Sequence, residues 1–242
     1  MQVVVLSGGL ATRMLPRTLT VPKALLEVAG RPFVDWQLEL LARCGYRDVL
    51  LCVGHLGEQV KAHVGDGARF GVRAAWAFDG PILLGTWGAL RAAIDRLEET
   101  FLVTYGDSYL PFDYAAPLRT LRAHDDCDGA MSVYRNDGKW DVSNVETDGA
   151  WVRCYEKKKV NDPALTFIDY GALALRRSAV ARAAADEVCG LERLQRDLAR
   201  EGRMRAVVAQ DRFFEIGSPE GLAALEERLR RPAAAVEGWA VR

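Results

Sequence analysis

Several patterns are missing from this 242-residue sequence, and each absence excludes a class of protein. The five cysteines are scattered and form no C-x-x-C pair, which argues against a disulfide framework or a zinc site and favours a reducing compartment. No apolar run reaches the ~18 residues of a membrane span, and no cationic leader precedes an apolar segment. The formal net charge of −1 provides no basic field for nucleic acid. We therefore expect a soluble cytoplasmic protein that binds neither membrane nor nucleic acid.

The standard phosphate-binding loops are missing as well. Counted from Gly8, Arg13 and Met14 occupy the places where a Walker A loop has its second glycine and its lysine. Leu10 stands where a dinucleotide fingerprint has its second glycine. The sequence has no internal repeat, so no appended β-helix domain is expected.

What is present is a different glycine turn near the start of the chain. The run Val3–Ser7 has the length and β-branched content of a buried strand, and it leads directly into Gly8-Gly9. Glycines there let the backbone turn sharply and bring its N–H groups close to a ligand, and Arg13 follows. A strand, a glycine turn and a cation together are typical of a polyphosphate site.

The residues after this strand follow a longer motif, Gly8-Gly9-x-Ala11-Thr12-Arg13-x-x-Pro16-x-Thr18-x-x-x-Pro22-Lys23. This motif resembles the opening of the sugar-1-phosphate nucleotidyltransferase family (NDP-sugar pyrophosphorylases). The family usually has glycine where Ala11 stands, and alanine limits positive φ. Overall, the chain is most similar to the short bacterial branch that includes heptose-1-phosphate guanylyltransferases and N-acetylmuramate-1-phosphate uridylyltransferases.

Strand and helix patterns alternate over the first 110 residues. The apolar runs predict strands over 3–7, 48–53, 72–78 and 101–105, and the 3.6-residue periodicity predicts helices over 32–44, 58–63 and 89–97. Alternation of this length implies crossover connections and a largely parallel sheet. Further on, strand patterns joined by turns dominate, at 129–134, 143–147, 151–155 and 166–175. A helix with Val188, Leu191, Leu194 and Leu198 on its inner face, a strand over 205–209 and a last helix capped by Ser218-Pro219 complete the pattern.

We therefore predict an α/β, Rossmann-like nucleotidyltransferase fold. It has a mixed, mainly parallel sheet with helices on both faces, plus a smaller antiparallel substrate-binding part. Residues 1–230 form a single domain in this prediction, with a nucleotide-binding half over about 1–110 and a sugar-phosphate half over about 111–217. The C-terminal helix covers 218–230, and a loosely held tail covers 231–242.

The resemblance implies roles for four charged residues. Arg13 would grip the departing pyrophosphate, and Lys23 would bring the two phosphates together. Asp107 follows a buried strand in a Gly-Asp pair that matches the family's metal-binding aspartate. Glu215, in Glu-Ile-Gly-Ser-Pro, stands at the family's second metal carboxylate. Because a triphosphate carries about four negative charges, Mg²⁺ is the expected cofactor.

The resemblance also implies residues that contact the sugar phosphate and the nucleotide, and Asp169 is added on chemical grounds. Glu156 would meet sugar hydroxyls and Lys157, or alternatively Lys158, the sugar phosphate. Asp169 is an acid within an apolar strand, and a role facing the pocket would avoid the cost of burying it unpaired. The expected nucleotide-binding residues are Leu6, Gly8, Gly9, Ala11, Thr12, Arg13, Gly85 and Thr86. Trp87, beside the last two, either stacks on the base or fills the core.

These residues imply Mg²⁺-dependent transfer of a nucleotidyl group from an NTP, with GTP or UTP favoured, to a sugar 1-phosphate. The products are an NDP-sugar and pyrophosphate. Two alternatives stay open: a cytidylyltransferase acting on phosphocholine or a phosphonate, and a non-catalytic sensor of nucleotide-sugars. An aromatic cage would favour choline, whereas acids that bind hydroxyls favour a sugar. Homo-oligomers are common in such families, so a second copy of the chain is a further expected partner.

Overall fold

The computed structural model describes residues 1–157 and 162–230. Lys158 and the predicted 231–242 tail lie outside the described residues. Within them the strands are β1 (Gln2–Ser7), β2 (Glu27–Val28), β3 (Arg31–Pro32), β4 (Asp48–Val53), β5 (Arg73–Phe78), β6 (Thr100–Tyr105), β7 (Ser108–Tyr109), β8 (Gly129–Arg135), β9 (Val145–Thr147), β10 (Val152–Tyr155), β11 (Phe167–Arg176), β12 (Met204–Ala209) and β13 (Phe214–Glu215). The helices are α1 (Phe33–Arg43), α2 (Gly57–Val64), α3 (Gly85–Ala92), α4 (Ala115–Arg122), α5 (Arg177–Val180), α6 (Leu191–Arg200) and α7 (Pro219–Arg230).

The described chain divides into two compact units. The first contains Met1–Leu83, Thr104–Asp113 and the described residues from Phe213 onwards. The second contains Leu84–Val103 and Tyr114–Arg212. None of the helices in the described ranges combines the length and the apolar character that crossing a bilayer requires.

In the first unit, three strands pair in parallel. Strand β1 pairs with β4 from Gln2 opposite Asp48 to Ser7 opposite Val53, and β4 pairs with β5 in the same direction. The side chains of β1 and β4 are almost wholly buried, as expected for parallel strands covered on their faces. Two short antiparallel pairs, β2–β3 and β7–β13, also lie within this unit.

The second unit is richer in antiparallel pairs. Strand β11 runs antiparallel to β8, and β9 and β10 form an antiparallel hairpin around Asp148-Gly149. Strand β12 instead joins β8 in parallel. Helix α4 packs against β8 and β11, and α6 packs against β10 and α3.

The predicted α/β class is confirmed, and most predicted elements lie within two residues of the observed ones. Helix α7 begins as predicted: the Ser218 hydroxyl accepts a hydrogen bond from the Gly221 N–H at 3.1 Å.

Three local predictions differ from the structure. Val188 is not on an inner helix face but is 60% exposed, because α6 begins only after Gly190. The helix predicted over 89–97 ends at Ala92 and is followed by a single 3₁₀ turn. Helix α4 was not predicted, because Pro117 interrupts its short pattern; proline is tolerated in a first turn, where the N–H groups have no helical partner.

Candidate active site

The glycine turn of the first unit lies at the carboxyl edge of the parallel strands. Strands β1 and β4 end together at Ser7 and Val53, and the chain continues from Ser7 into the turn. The Gly106 N–H donates to the Leu6 carbonyl at 2.8 Å, so Asp107 emerges beside the same strand end. Open α/β sheets bind ligands at this edge. Leu6 itself is buried, and its carbonyl is the atom that joins the two segments.

The turn keeps a left-handed residue in spite of the alanine. Ala11 has φ 50° and ψ 45°, so it adopts the conformation that glycine would favour. Its carbonyl accepts hydrogen bonds from the Met14 N–H at 2.9 Å and from the Thr18 hydroxyl at 3.0 Å. Thr18 is buried, whereas Gly9, Thr12 and Arg13 are exposed. The motif therefore stabilises the turn from within and leaves its outer surface accessible.

Two cations meet a carboxylate at this edge. The Lys23 Nζ lies 2.5 Å from Asp107 Oδ2, with side-chain exposures of 16% and 30%. Gly217 lies beside both cations. A methyl group there would stand 2.9 Å from an Nη of Arg13 and 3.3 Å from Lys23 Nζ. Arg13, Lys23 and Asp107 thus converge although their positions in the chain are far apart.

Glu215 reaches the same place through a short strand pair. Strand β13 pairs antiparallel with β7, which sets Glu215 opposite Ser108, and the Ile216 N–H donates to the Asp107 carbonyl at 3.0 Å. The backbones of Asp107 and Glu215 are therefore neighbours. Carboxylate oxygens are the hard donors that suit Mg²⁺. The ion pair between the Lys23 ammonium and Asp107 shows that a cation can lie at this position. No group of three or more histidine, cysteine or acidic side chains suited to a metal occurs in the described ranges.

Glu156, Lys157 and Asp169 come together in the second unit. The Glu156 N–H donates to the Asn144 carbonyl at 2.9 Å, and the Asn144 side-chain oxygen accepts from the Asp169 N–H at 2.9 Å. Although part of Asp169 stays exposed, dense packing raises the pKa of its carboxyl. Hydrogen bonds from Gly171 and Gln195 and the positive charge of Lys157 act against that shift in pKa.

Gly85 and Thr86 contact the segment that leads into α6. Gly85 has φ 74°, and a methyl group there would approach the Cys189 carbonyl oxygen to 2.6 Å. The Thr86 hydroxyl accepts from the Leu191 N–H at 2.7 Å. Of the two interpretations of Trp87, core packing is the one observed: the ring is 3% exposed, and its Nε1 donates to the Val180 carbonyl at 3.1 Å.

Comparison with known proteins decides the family. Residues 3–213 match the family model described as the MobA-like NTP transferase domain. The chain belongs to this NTP transferase family. The sequence-based expectation of nucleotidyltransferase relatives is confirmed by the proteins it resembles.

The relatives of this chain are named for different sugars and bases. The chain is 35% identical over 121 residues to an N-acetylmuramate α-1-phosphate uridylyltransferase from Neisseria meningitidis, an alignment covering 50% of this chain and 52% of that protein. It is 25% identical over 221 residues to a D-glycero-α-D-manno-heptose 1-phosphate guanylyltransferase from Campylobacter jejuni, covering 91% and 96%. The alignments with three of the curated relatives, the uridylyltransferase among them, cover only 34% to 52% of those relatives' own lengths.

A solved structure has the same fold as this chain. The crystal structure of HddC from Yersinia pseudotuberculosis complexed with GMP-PN superposes with a TM-score of 0.77 at 24% identity, covering 95% of this chain and 99% of that one.

Some polar residues around these sites were not predicted from the sequence. Gln37 donates to the Tyr105 and Ser108 carbonyls at 2.7 and 2.9 Å, and so holds the turn that carries Asp107. Gln195 holds Asp169 in the second unit. Both glutamines lie on helix faces that are otherwise apolar and buried. A polar residue on the inner stripe of an amphipathic helix is the signal that could have identified them.

Proposed function

We propose that this protein transfers a nucleotidyl group from an NTP to a sugar 1-phosphate, releasing pyrophosphate. The observation that carries the proposal is the convergence of Arg13 and Lys23 with the Asp107–Glu215 pair at the carboxyl edge of a parallel sheet. Cations beside an acid pair suit a reaction whose reactants are all anionic. The names of the uridylyltransferase and guanylyltransferase relatives support UTP or GTP as the donor.

Each residue has a task in this proposal. The exposed Arg13 guanidinium binds the triphosphate and neutralises the charge that develops on the departing pyrophosphate. The Lys23 ammonium draws the attacking phosphate towards the donor, which lowers the cost of bringing two anions together. The exposed turn at Gly9 and Thr12 supplies backbone N–H groups to the phosphates.

Asp107 and Glu215 would hold Mg²⁺, which when bound supplies positive charge to the phosphates. Glu156, Lys157 and Asp169 would recognise the acceptor, with the acids accepting hydrogen bonds from its hydroxyls. This chemistry suits a sugar better than phosphocholine. The five free thiols agree with a cytoplasmic enzyme.

Pyrophosphate release tests the proposal. The purified protein would be assayed with Mg²⁺ and each of ATP, CTP, GTP, UTP and dTTP against a panel of sugar 1-phosphates, phosphocholine and a phosphonate. We expect turnover with GTP or UTP and a sugar 1-phosphate. Arg13→Ala and Asp107→Ala should each lower kcat at least about 100-fold, because each removes a charge that stabilises the transition state.

Arg17→Ala is the matched control, because Arg17 is an exposed arginine one turn away and outside the convergent set. It should keep full activity. Unchanged turnover in Arg13→Ala or Asp107→Ala would refute the site. Nucleotide-sugar binding without turnover on any pair would favour the sensor.

A further inference from the structure

A glutamine interrupts the apolar stripe of helix α6. Leu191, Leu194 and Leu198 form the buried face of this helix, and Gln195 lies among them with no exposed surface. Moving an amide from water into such surroundings is unfavourable unless both of its ends are hydrogen-bonded.

Only one end of this amide is satisfied within the described residues. The Gln195 Nε2 donates to Asp169 Oδ2 at 2.8 Å. Its Oε1 is buried and has no hydrogen-bond partner among residues 1–157 and 162–230. A residue kept only for packing would be better replaced by methionine or leucine, which carry no oxygen to desolvate. What a glutamine provides here, and methionine or leucine would not, is the hydrogen bond to Asp169.

Asp169 is oriented by other donors too. The Gly171 N–H donates to its Oδ1 at 3.0 Å, and the Tyr155 hydroxyl bonds to its carboxylate. The β8–β11 pairing is irregular between Asp169 and Leu173, which breaks the ladder beside Asp169. Such irregularities are common next to active sites, where they re-aim a side chain. The carboxylate is therefore held on both oxygens before any ligand arrives.

We propose that Gln195 is a positioning residue that fixes the Asp169 carboxylate to accept hydrogen bonds from hydroxyl groups of the acceptor substrate. This inference rests on the proposed function. Hydrogen-bond donors of the protein already orient this carboxylate, so its remaining lone pairs are available to donors of the substrate. A polyhydroxylated sugar presents several adjacent hydroxyl donors. Phosphocholine has no such hydroxyls. The acceptor class that follows is a sugar phosphate with free hydroxyls near Asp169.

Two titratable groups act directly on this carboxylate, and three more charged groups lie close to those two. Tyr155 and Lys157 come from β10 and the residues after it; the charge of Lys157 acts on Asp169, and burial raises the pKa of Tyr155. From α6, the charge of Glu192 acts on Tyr155, and Arg196 lies 3.9 Å from Glu156. Because the Gln195 bond lowers the Asp169 pKa, losing it should raise that pKa further.

The test compares Gln195→Met with Leu194→Met, its matched control on the same buried face. In Gln195→Met we expect KM for the sugar 1-phosphate to rise about 10-fold or more, with KM for the NTP unchanged, as is typical when a supporting residue is lost. The acid limb of kcat/KM for the acceptor should move to higher pH. Wild type should discriminate against a deoxy analogue of the sugar phosphate, and Gln195→Met should lose that discrimination. Leu194→Met should change none of these.

Carboxyl ¹³C NMR of Asp169 supplies a readout that needs no turnover. We expect a higher titration midpoint in Gln195→Met than in wild type, at equal Tm. Equal acceptor KM values or equal Asp169 midpoints in the two proteins would overturn the inference. A wild type inactive on every pair would refute the proposed function separately, and the midpoints would then decide alone whether Gln195 positions Asp169.

Discussion

Ala11 adopts a backbone conformation that alanine disfavours, within the turn that we assign to phosphate binding. Its φ of 50° lies in the left-handed region, where the Cβ crowds the following carbonyl oxygen. The hydrogen bonds from Met14 and Thr18 to its carbonyl hold it there. Strain of this kind persists where the surroundings over-determine the backbone, which is common at ligand-binding turns.

Ala11→Gly should therefore stabilise the protein. Relief of the left-handed strain is worth about 1–2 kcal/mol, and the extra chain entropy of glycine takes back about 0.5–1 kcal/mol. We expect the free energy of unfolding in urea to rise by roughly 0.5–1 kcal/mol.

Ala68→Gly is the control for this substitution. Ala68 is exposed, sits in a 3₁₀ turn of the same unit and has no positive φ, so its replacement should destabilise. If the Ala11→Gly protein were no more stable than the Ala68→Gly protein, the backbone of Ala11 would not be strained.

Gly217 is a second position where one methyl group matters. Gly217→Ala would push the methyl towards Arg13 and Lys23, at 2.9 and 3.3 Å, and both side chains have flexible ends that can move away. We expect kcat/KM to fall about 10-fold or more, because even a small displacement of these two cations misaligns the phosphates, while Tm stays nearly constant. Steady-state kinetics and a thermal melt check this. A large loss of Tm would instead indicate a structural role.

The first N–H group of helix α6 is capped by a side chain from another helix. Its N-cap position is Gly190, which has no side chain to offer, and the Leu191 N–H is satisfied by the Thr86 hydroxyl of α3 at 2.7 Å. The N–H groups of Trp87 and Gly88 donate to the Cys189 carbonyl at 3.0 and 3.2 Å, so the starts of α3 and α6 are joined in both directions. Capping of this kind connects the two helices, and no N-cap residue next to α6 in the sequence indicates it.

Thr86→Val should lower the free energy of unfolding by about 1 kcal/mol, because the valine leaves the Leu191 N–H without its acceptor. Hydrogen exchange at Leu191 should speed up. Thr100→Val is the control, since the Thr100 hydroxyl accepts an exposed hydrogen bond from Arg122 at 3.0 Å. A rise in KM for the NTP with unchanged stability would show that the Thr86 hydroxyl serves the nucleotide instead.

At the scale of the whole molecule, folding removes most of the thiols from solvent. Four of the five cysteines are buried and Cys154 alone is partly exposed. Burial raises the pKa of Cys44 to about 11 and also raises the pKa values of Cys127 and Cys189. Because the thiolate is the nucleophile, the burial of these thiols and their raised pKa values both slow their reactions.

The folded protein should therefore show one fast thiol towards Ellman's reagent at pH 8 and five after denaturation. Cys154→Ser should abolish the fast phase. More than one fast thiol in the wild type would indicate opening of the core around Cys44 or Cys127.

The sequence by itself determined the elements whose cause is local. The β-branched run before Gly8 and the Ser218-Pro219 cap each specify their structure within a few residues, because strand burial and helix capping are short-range effects. The motif from Gly8 to Lys23 was enough to predict the family that the comparison established.

Only the tertiary structure decided which side chains meet. The β7–β13 pairing brings Glu215 beside Asp107, and the buried face of α6 brings Gln195 to Asp169. Contacts of this kind join residues far apart in the chain and depend on packing and register, which no local pattern encodes. Val188 and Trp87 illustrate the same limit, because burial is a property of neighbours that the sequence does not place.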